Sequence, residues 1–494
     1  MADPQIIQSG YKAGMKRDFP RDAMPKDSLW NVQDFLPETI SARLRKRGGY
    51  EYVSQDINAV QGTATYLTAG IFSPYTDGDS ILVFDEDNRV YEVESAAATE
   101  NIGAALVTRD PVFYNNFTIV PDSAGSVGPK KITRAAGAHT IANLAGSPPA
   151  GKYAVVYKDV LWLAGSAALL DRIYFGKAGD PETWDTTNKW LDNSYPISGM
   201  AALANAVFIF SLGRTTRIRG SIPPPDSDFI VDDPIFDVGC TDNRSITNYR
   251  DKVIWANAGG LYISDGTAME DLTRICGMKQ WWLEMMAGNE GFSTGSSYTV
   301  TGWTIATGVM GDFLFYSVMN GSTKVDSGMI DMTRYTWYRI KNIDATFMFK
   351  RPYPDEVFWT RRGAARLSKV TSFLRPLAAN KADADGTAVE PLLETAYIGD
   401  PRLKTLRRLY VNYDIRDAAS DNPILTASHI LSPEATSYTA LSPTMPETTE
   451  STRVHIPINK ASSGIAFKIA QTGNSSDTRM YELELEAGVR EGMK

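Results

Sequence analysis

A short apolar run, entered by a charged or glycine step and left through a tight turn into a second run, recurs along most of this chain. In RDKVIWANAGGLYISDG, residues 250 to 266, the runs Val253-Ile254-Trp255 and Leu261-Tyr262-Ile263 flank a small Ala-Asn-Ala-Gly-Gly turn. The pattern is that of a β-hairpin with a greasy side. A single hairpin is marginal in water, so units of this kind need partners to stack against.

Copies start near Val160 (YKDVLWLAG), Val207 (LANAVFIFSLG), Phe313 (MGDFLFYSVMNG) and Val357 (PDEVFWTRRG). Two looser copies lie upstream, near Ile81 (GDSILVFDEDNRVYEVES) and Phe117 (NNFTIVPDSAG). Starts are about 36 to 60 residues apart, most often about 45, the length of a four-stranded propeller blade. One blade cannot bury both of its faces, whereas radial stacking covers both and leaves only short edges. The competing arrangement is a pair of β-sandwiches with evenly spaced strands, since no strict Trp-Asp signature recurs.

Helical signal is sparse. The spacing predicts a helix over 278–288 (MKQWWLEMMAG), between two repeats, with Trp281, Trp282 and Met285 on one side as buried contacts. From about residue 372 the pattern changes. RPLAANKADADGTAVEP reads as a linker, and longer alternating strands follow. Leu409, Val411 and Tyr413 alternate with polar neighbours, as do Val454, Ile456 and Ile458. Ile465, Phe467 and Ile469 behave likewise, and so do Tyr481, Leu483 and Leu485. Alternation of this kind marks sheets with one wet face, and about 100 residues of it fit a small β-sandwich.

The first fifty residues have charges, prolines and scattered aromatics but no period. They read either as a disordered tail or as an extended arm that folds on a neighbouring subunit through Tyr11, Phe19, Trp30 and Phe35. In SARLRKRGGYEY, strand alternation puts Arg43, Arg45 and Arg47 on one face beside Lys46, either solvated or against an anion or an acidic partner. The expected organisation is all-β. It comprises an extended arm over 1–50, a β-propeller of six to seven short blades over 51–371, and a linker with a C-terminal β-sandwich over 372–494.

Composition bounds the chemistry. A net charge of −8 and a pI near 5.2 argue against tight global DNA binding, which depends on phosphate neutralisation by Lys and Arg. No run of about 20 apolar residues suggests a membrane span, and the polar start has no secretory h-region. Cys240 and Cys276 cannot build a disulfide framework; they read either as one cross-link or as two buried thiols of a reducing compartment. Three histidines, His139, His429 and His455, lack metal-ligand spacing, and no phosphate-cradling glycine loop appears.

GFSTG, residues 291 to 295, fits Gly-x-Ser-x-Gly, but helix precedes Ser293 and strand follows it, the reverse of a nucleophile elbow. Asp85, Glu86 and Asp87, and likewise Asp180, Glu182 and Asp185 beside Trp184, sit in turn-forming sequence. No catalytic, cofactor-binding or metal residue is assigned, and no enzyme activity is expected.

LWNVQDFLPETISARLRKRGGYEY resembles the opening of phage tail structural proteins, and RIYFGKAGDPETW and NYRDKVIWANAGGLYISDG look like their blade elements. ETAYIGDPRLKTLRRLYVNYD and AFKIAQTGNSSDTRMYELELE are similar to the sandwich that follows the propeller. The closest group is the tail nozzle, or packaged-DNA stabilisation, proteins of tailed bacteriophages. The resemblance implies a structural virion protein made in the bacterial host cytoplasm. It implies a homohexameric ring contacting portal, adaptor and tail-fibre or tail-tip proteins, through which DNA passes without sequence-specific binding. It implies no catalytic residue and no membrane. Two other readings stay open: a tail-tip or host-recognition protein, and a propeller glycosidase or glycan-binding protein.

Overall fold

The computed structural model describes residues 5–489, apart from short segments of which the longest are 58–66, 222–227, 288–302, 370–388 and 417–423. The chain is an all-β protein built on a β-propeller. Seven four-stranded antiparallel units lie in succession. The first runs from Leu67–Tyr75 to Ala98–Ala104, the second from Val112–Tyr114 to Ala138–Asn143, and the third from Tyr153–Tyr157 to Trp190–Asp192. The fourth runs from Gly199–Ala202 to Ile230–Val231, the fifth from Thr247–Tyr249 to Met269–Asp271, and the sixth from Trp303–Met310 to Thr336–Arg339. The seventh contains Ala345–Arg351, Glu356–Arg361 and Leu367–Lys369.

The apolar runs read from the sequence are the second strands of these blades. Gly78–Asp85, Phe117–Val120, Val160–Ala164, Val207–Phe210, Lys252–Asn257, Phe313–Asn320 and Glu356–Arg361 all hold that place. A second strand has a strand on either side and a blade over either face, so both of its faces are dry. Val160–Ala164 and Val207–Phe210 are buried at every position. The opening hairpin pairs Trp255 with Tyr262 and turns through Ala258 and Gly259.

The seventh blade takes its fourth strand from the other end of the chain. We label the first five strands β1 (Gln5–Ser9), β2 (Leu29–Gln33), β3 (Phe35–Pro37), β4 (Leu44–Lys46) and β5 (Glu51–Tyr52). β5 pairs with Leu367–Lys369, placing Tyr52 opposite Ser368. Leu367 N also donates to Ser54 Oγ at 2.8 Å. The ring is thereby zipped shut by residues that precede the first blade, which removes the free edge an open sheet would present.

The N-terminal segment is extended, but its strands pair within its own chain, and this corrects the expectation of an arm folding on a neighbour. β1 and β4 pair with Asp477–Val489, and β3 pairs with β4. With Leu403–Arg416 and Thr448–Lys460 they form a six-stranded sheet. β2 lies between Thr336–Arg339 of the sixth blade and Leu392–Thr395 of the C-terminal region. The sixth blade and the second C-terminal sheet are therefore one continuous ten-stranded sheet.

Of the four aromatics assigned to an intermolecular contact, Tyr11 and Phe35 are buried in this chain. Trp30 is covered by the Arg17 guanidinium, 3.8 Å from the ring centroid. Phe19 is exposed.

The alternating C-terminal residues place Leu409, Val411, Tyr413, Ile456, Ile458, Leu483 and Leu485 in the same core cluster as β2 and the sixth blade. The helix occupies Lys279–Ala287 and buries Trp281, Trp282 and Met285 against that blade, as its spacing predicts. Trp281 Nε1 donates to Asp326 Oδ2 at 3.1 Å, and Trp282 Nε1 to Asn257 O at 3.1 Å. No described helix is long and apolar enough to cross a membrane.

Candidate functional site

Tight turns between first and second strands collect at one face of the ring. In the second and third blades these are two-residue turns whose central residues, Asn115, Asn116, Lys158 and Asp159, carry positive φ. This is the turn geometry that matches strand twist. At this face each blade bonds to the next. Thr76 N donates to Asn116 Oδ1 at 2.8 Å, and Tyr114 OH donates to Asp159 O at 2.6 Å. Tyr157 OH donates to Gly220 O at 2.9 Å, and Asn248 Nδ2 to Ala202 O at 3.0 Å. Tyr249 OH donates to Asp312 Oδ1 at 2.9 Å, and Gly311 N to Asp355 Oδ2 at 2.7 Å. The relay runs from the first blade to the seventh and couples neighbouring turns.

A cleft of about 770 Å³ opens on this face among the turns of the third, fourth and fifth blades. Lys158, Asn205, Asn248, Arg250, Asp251 and Asp265 line it. Several of these are already engaged: Arg250 meets Asp312 at 2.6 Å, and Asp265 accepts its own turn amide from Thr267 at 2.8 Å. The cleft thus presents a mixed polar surface.

The opposite face carries a smaller cavity of about 150 Å³, lined by Arg109, Ser123, Lys152, Tyr153, Asp242 and Asn243. Beside it, Asp110 Oδ2 accepts the Ala154 amide at 2.9 Å. Burial pushes the Asp110 carboxyl up to about 7, against the pull of that bond. Burial also opposes ionisation of Asp242, yet Arg244, with Nε 2.9 Å from Oδ1, keeps its carboxyl below the usual range.

The sequence-level candidates are dispersed. Asp85 is buried and accepts the amides of Asp87 and Arg89 and the Tyr91 hydroxyl, all within 2.9 Å. Asp180 accepts Glu182 N at 3.0 Å, and Asp185 accepts Thr187 N at 3.1 Å. Glu182 bridges to Lys131 of the second blade at 2.8 Å, and Trp184 Nε1 donates to Pro181 O at 2.8 Å. These carboxylates close turns and clasp blades, as turn chemistry requires.

The histidines do not converge: His139 lies in the second blade, and His429 and His455 in the C-terminal sheets. His139 Nδ1 is 3.3 Å from Glu92 Oε2, and its Nε2 is 3.3 Å from Ser80 Oγ. The three have the composition of a nucleophile triad. However, the Ser80 hydroxyl donates to Glu92 Oε1 at 2.6 Å, and all three residues are nearly buried.

Cys240 and Cys276 are free and buried in separate clusters, and burial pushes both thiols up to about 12. Such thiols are inert. Ser293 lies outside the described residues, as does most of the expected linker. Among the described residues no group of His, Cys, Asp and Glu could hold a metal ion.

The basic run does not present a single face. β4 ends at Lys46, so Arg47 leaves the strand and buries its guanidinium on Asp34, Nε to Oδ1 2.6 Å. Arg43 stays exposed and lies 4.5 Å over the Tyr481 ring. The pairing of Arg47 and Asp34 was not readable from the sequence, because nothing in the spacing brings together two residues on either side of β3 and β4.

No family model matches the chain, and no curated protein matches it. Among solved structures it is similar to BBS1N in complex with ARL6DN, at 10% identity over 67% of this chain and 100% of that one, TM-score 0.41. It is also similar to the Pan2 WD40 domain of Neurospora crassa, at 8% identity over 68% and 99% of the chains, TM-score 0.40. A third match is puromycin hydrolase, at 9% identity over 70% and 60%, TM-score 0.35. At such identities the likeness concerns the fold alone.

Proposed function

We propose that this chain is a structural virion protein of a tailed bacteriophage. In this reading it is a tail nozzle ring component that surrounds the DNA channel, helps retain packaged DNA and passes it at ejection. The observation that carries the reading is the splice between propeller and sandwich. β2 is hydrogen-bonded to the sixth blade on one side and to the C-terminal sheet on the other, so load on either body passes through one continuous sheet. The relay of turn-to-turn bonds stiffens the ring in the same sense. A stiff wedge repeated about an axis, here as a homohexamer, needs two complementary side surfaces.

The acidic balance suits a wall along which DNA moves, since retained phosphate contacts would slow passage and make it salt-sensitive. The self-satisfied acidic turns favour a non-enzymatic role. The expected partners are further copies of the chain, the portal and adaptor, and tail-fibre or tail-tip proteins. The chain is to be mixed with the portal and adaptor proteins of a tailed bacteriophage and imaged by electron microscopy. Rings on the portal axis are the expected result. Absence of rings, or release of oligosaccharide from host polysaccharide by the purified chain, overturns the reading.

A further inference from the structure

At the face opposite the hairpin turns, the donors and acceptors that line the mouth of the ring do not match. First strands of neighbouring blades pack on one another around the axis, the second on the third and the third on the fourth. The cavity of about 150 Å³ lies where those strands begin. Arg109 precedes the first strand of the second blade, and Ser123 follows its second strand. Lys152 precedes the first strand of the third blade, and Tyr153 opens it. Among the described residues, these four side chains have no hydrogen-bond or ion-pair partner.

The acceptors on the same wall are already spent. Asp242 Oδ1 accepts the Arg244 amide and Nε, both at 2.9 Å, and Oδ2 accepts Arg244 Nη2. Asn243 Oδ1 accepts the Met200 amide at 3.1 Å, and Asp110 Oδ2 that of Ala154. Arg109 reaches Asp242 only through the weaker, longer-range pull of its charge. Even with Asp110 ionised, Arg109, Lys152 and Arg244 outnumber Asp110 and Asp242, on a chain whose net charge is −8.

Packing holds the donors in place. Ser123 N donates to Val107 O at 2.8 Å, and Ala167 N to Gly125 O at 2.8 Å, which ties the turn of the second blade to the third. Gly125 presses on the Lys152 stem, since a Cβ there would fall 2.9 Å from Lys152 Cγ. The Tyr153 ring lies against Gly165, where a Cβ would fall 2.8 Å from Cε2. Arg109 is exposed, so the site is open to solvent on its side.

We propose that this cavity binds one small tetrahedral oxyanion of the phosphate class. Charged donors make the stronger hydrogen bonds to anionic oxygens, and a guanidinium fork matches phosphate oxygens in pairs. Donors on three separate segments suit tetrahedral oxygens better than the coplanar pair of a carboxylate. The volume lies below the ~300–1,000 Å³ of sites for drug-sized ligands, so a single small ion fits. Bound there, the ion joins the second and third blades and stabilises the folded ring, as any ligand of the folded state does. The site is independent of the tail reading.

The test is calorimetric titration and thermal melting of the full chain with sodium phosphate, in a phosphate-free buffer at constant ionic strength. Phosphate is expected to bind with a Kd on the order of 1 mM or tighter and to raise the melting temperature. Sodium acetate, and a short single-stranded oligonucleotide without terminal phosphate, are each expected to bind at least about tenfold weaker. Arg109→Gln and Lys152→Gln are each expected to weaken phosphate about tenfold. Lys158→Gln removes the same charge from an exposed turn on the opposite face and is expected to leave phosphate binding unchanged. Arg109 is exposed, so its variant decides the matter should Lys152→Gln fold poorly. No saturable phosphate binding overturns the proposal. So does acetate or the oligonucleotide binding as tightly as phosphate, phosphate binding that survives Arg109→Gln, or an equal loss in Lys158→Gln.

Discussion

The Arg47 guanidinium and the Asp34 carboxylate meet at 2.6 Å with both side chains fully withdrawn from solvent. Asp34 sits at positive φ between β2 and β3, and its oxygens also accept the Lys341 amide at 2.9 Å. Its own amide donates to Arg339 O at 3.0 Å, and Arg47 Nη2 donates to Lys341 O at 2.9 Å. One ion pair thus ties the N-terminal segment to the exit of the sixth blade. Removing one member leaves a buried charge uncompensated, which costs about 3–5 kcal/mol. Arg47→Met is therefore expected to lower stability by that amount in urea unfolding. Asp34→Asn added to it should restore part of the loss, because the charge goes with its partner. A cost below about 1 kcal/mol for Arg47→Met would mean that the pair is not buried as described.

Deleting residues 1 to 40 is expected to damage the fold itself. In the structure Leu29, Val32, Phe35 and Leu36 are buried in the largest core cluster, and β2 is the strand that joins blade to sandwich. The truncated chain should be insoluble, or soluble with a C-terminal region cut rapidly by protease. A truncation that melts at the full-length temperature would contradict the splice on which the proposed function rests.

Trp255 tests the blade packing. It is fully buried, with ring centroids of Phe210 at 5.3 Å, Tyr262 at 5.9 Å and Phe236 at 6.2 Å. Truncation to Ala leaves a cavity and is expected to cost about 3–5 kcal/mol. Its indole Nε1 is buried without an acceptor. Trp255→Phe therefore removes an unmet donor together with some packing, and is expected to cost less than half as much. Equal losses for the two variants, read by denaturant unfolding, would show that the indole nitrogen has a partner after all.

These cases also show which parts of the fold were legible in the sequence. Second strands are dry on both faces, so they appear as unbroken apolar runs, and each one located a blade. Fourth strands lie at the outer rim. Trp190–Asp192 and Met269–Asp271 have no buried residue, so they carry no hydrophobic signal and stayed invisible. The C-terminal strands were legible by alternation because one face is wet. The N-terminal strands were not, since β3, β4 and β5 span only two or three residues each, too few to establish a period. Their identity comes from partners hundreds of residues away, as Tyr52 opposite Ser368 illustrates.

Asp110 gives the clearest pH signature. Its carboxyl titrates at about 7 in the folded protein because burial disfavours the charge, against about 3.9 when unfolded. A raised carboxyl binds its proton more tightly when folded. Its stabilising contribution is complete below about pH 4, declines as pH rises, and is gone above about pH 7. Asp110→Asn has no proton to lose there and keeps an oxygen that can accept the Ala154 amide. The melting temperature of the variant minus that of the parent should therefore climb between about pH 4 and pH 7 and level off above. A difference that stays flat across the interval would place the Asp110 carboxyl in contact with water.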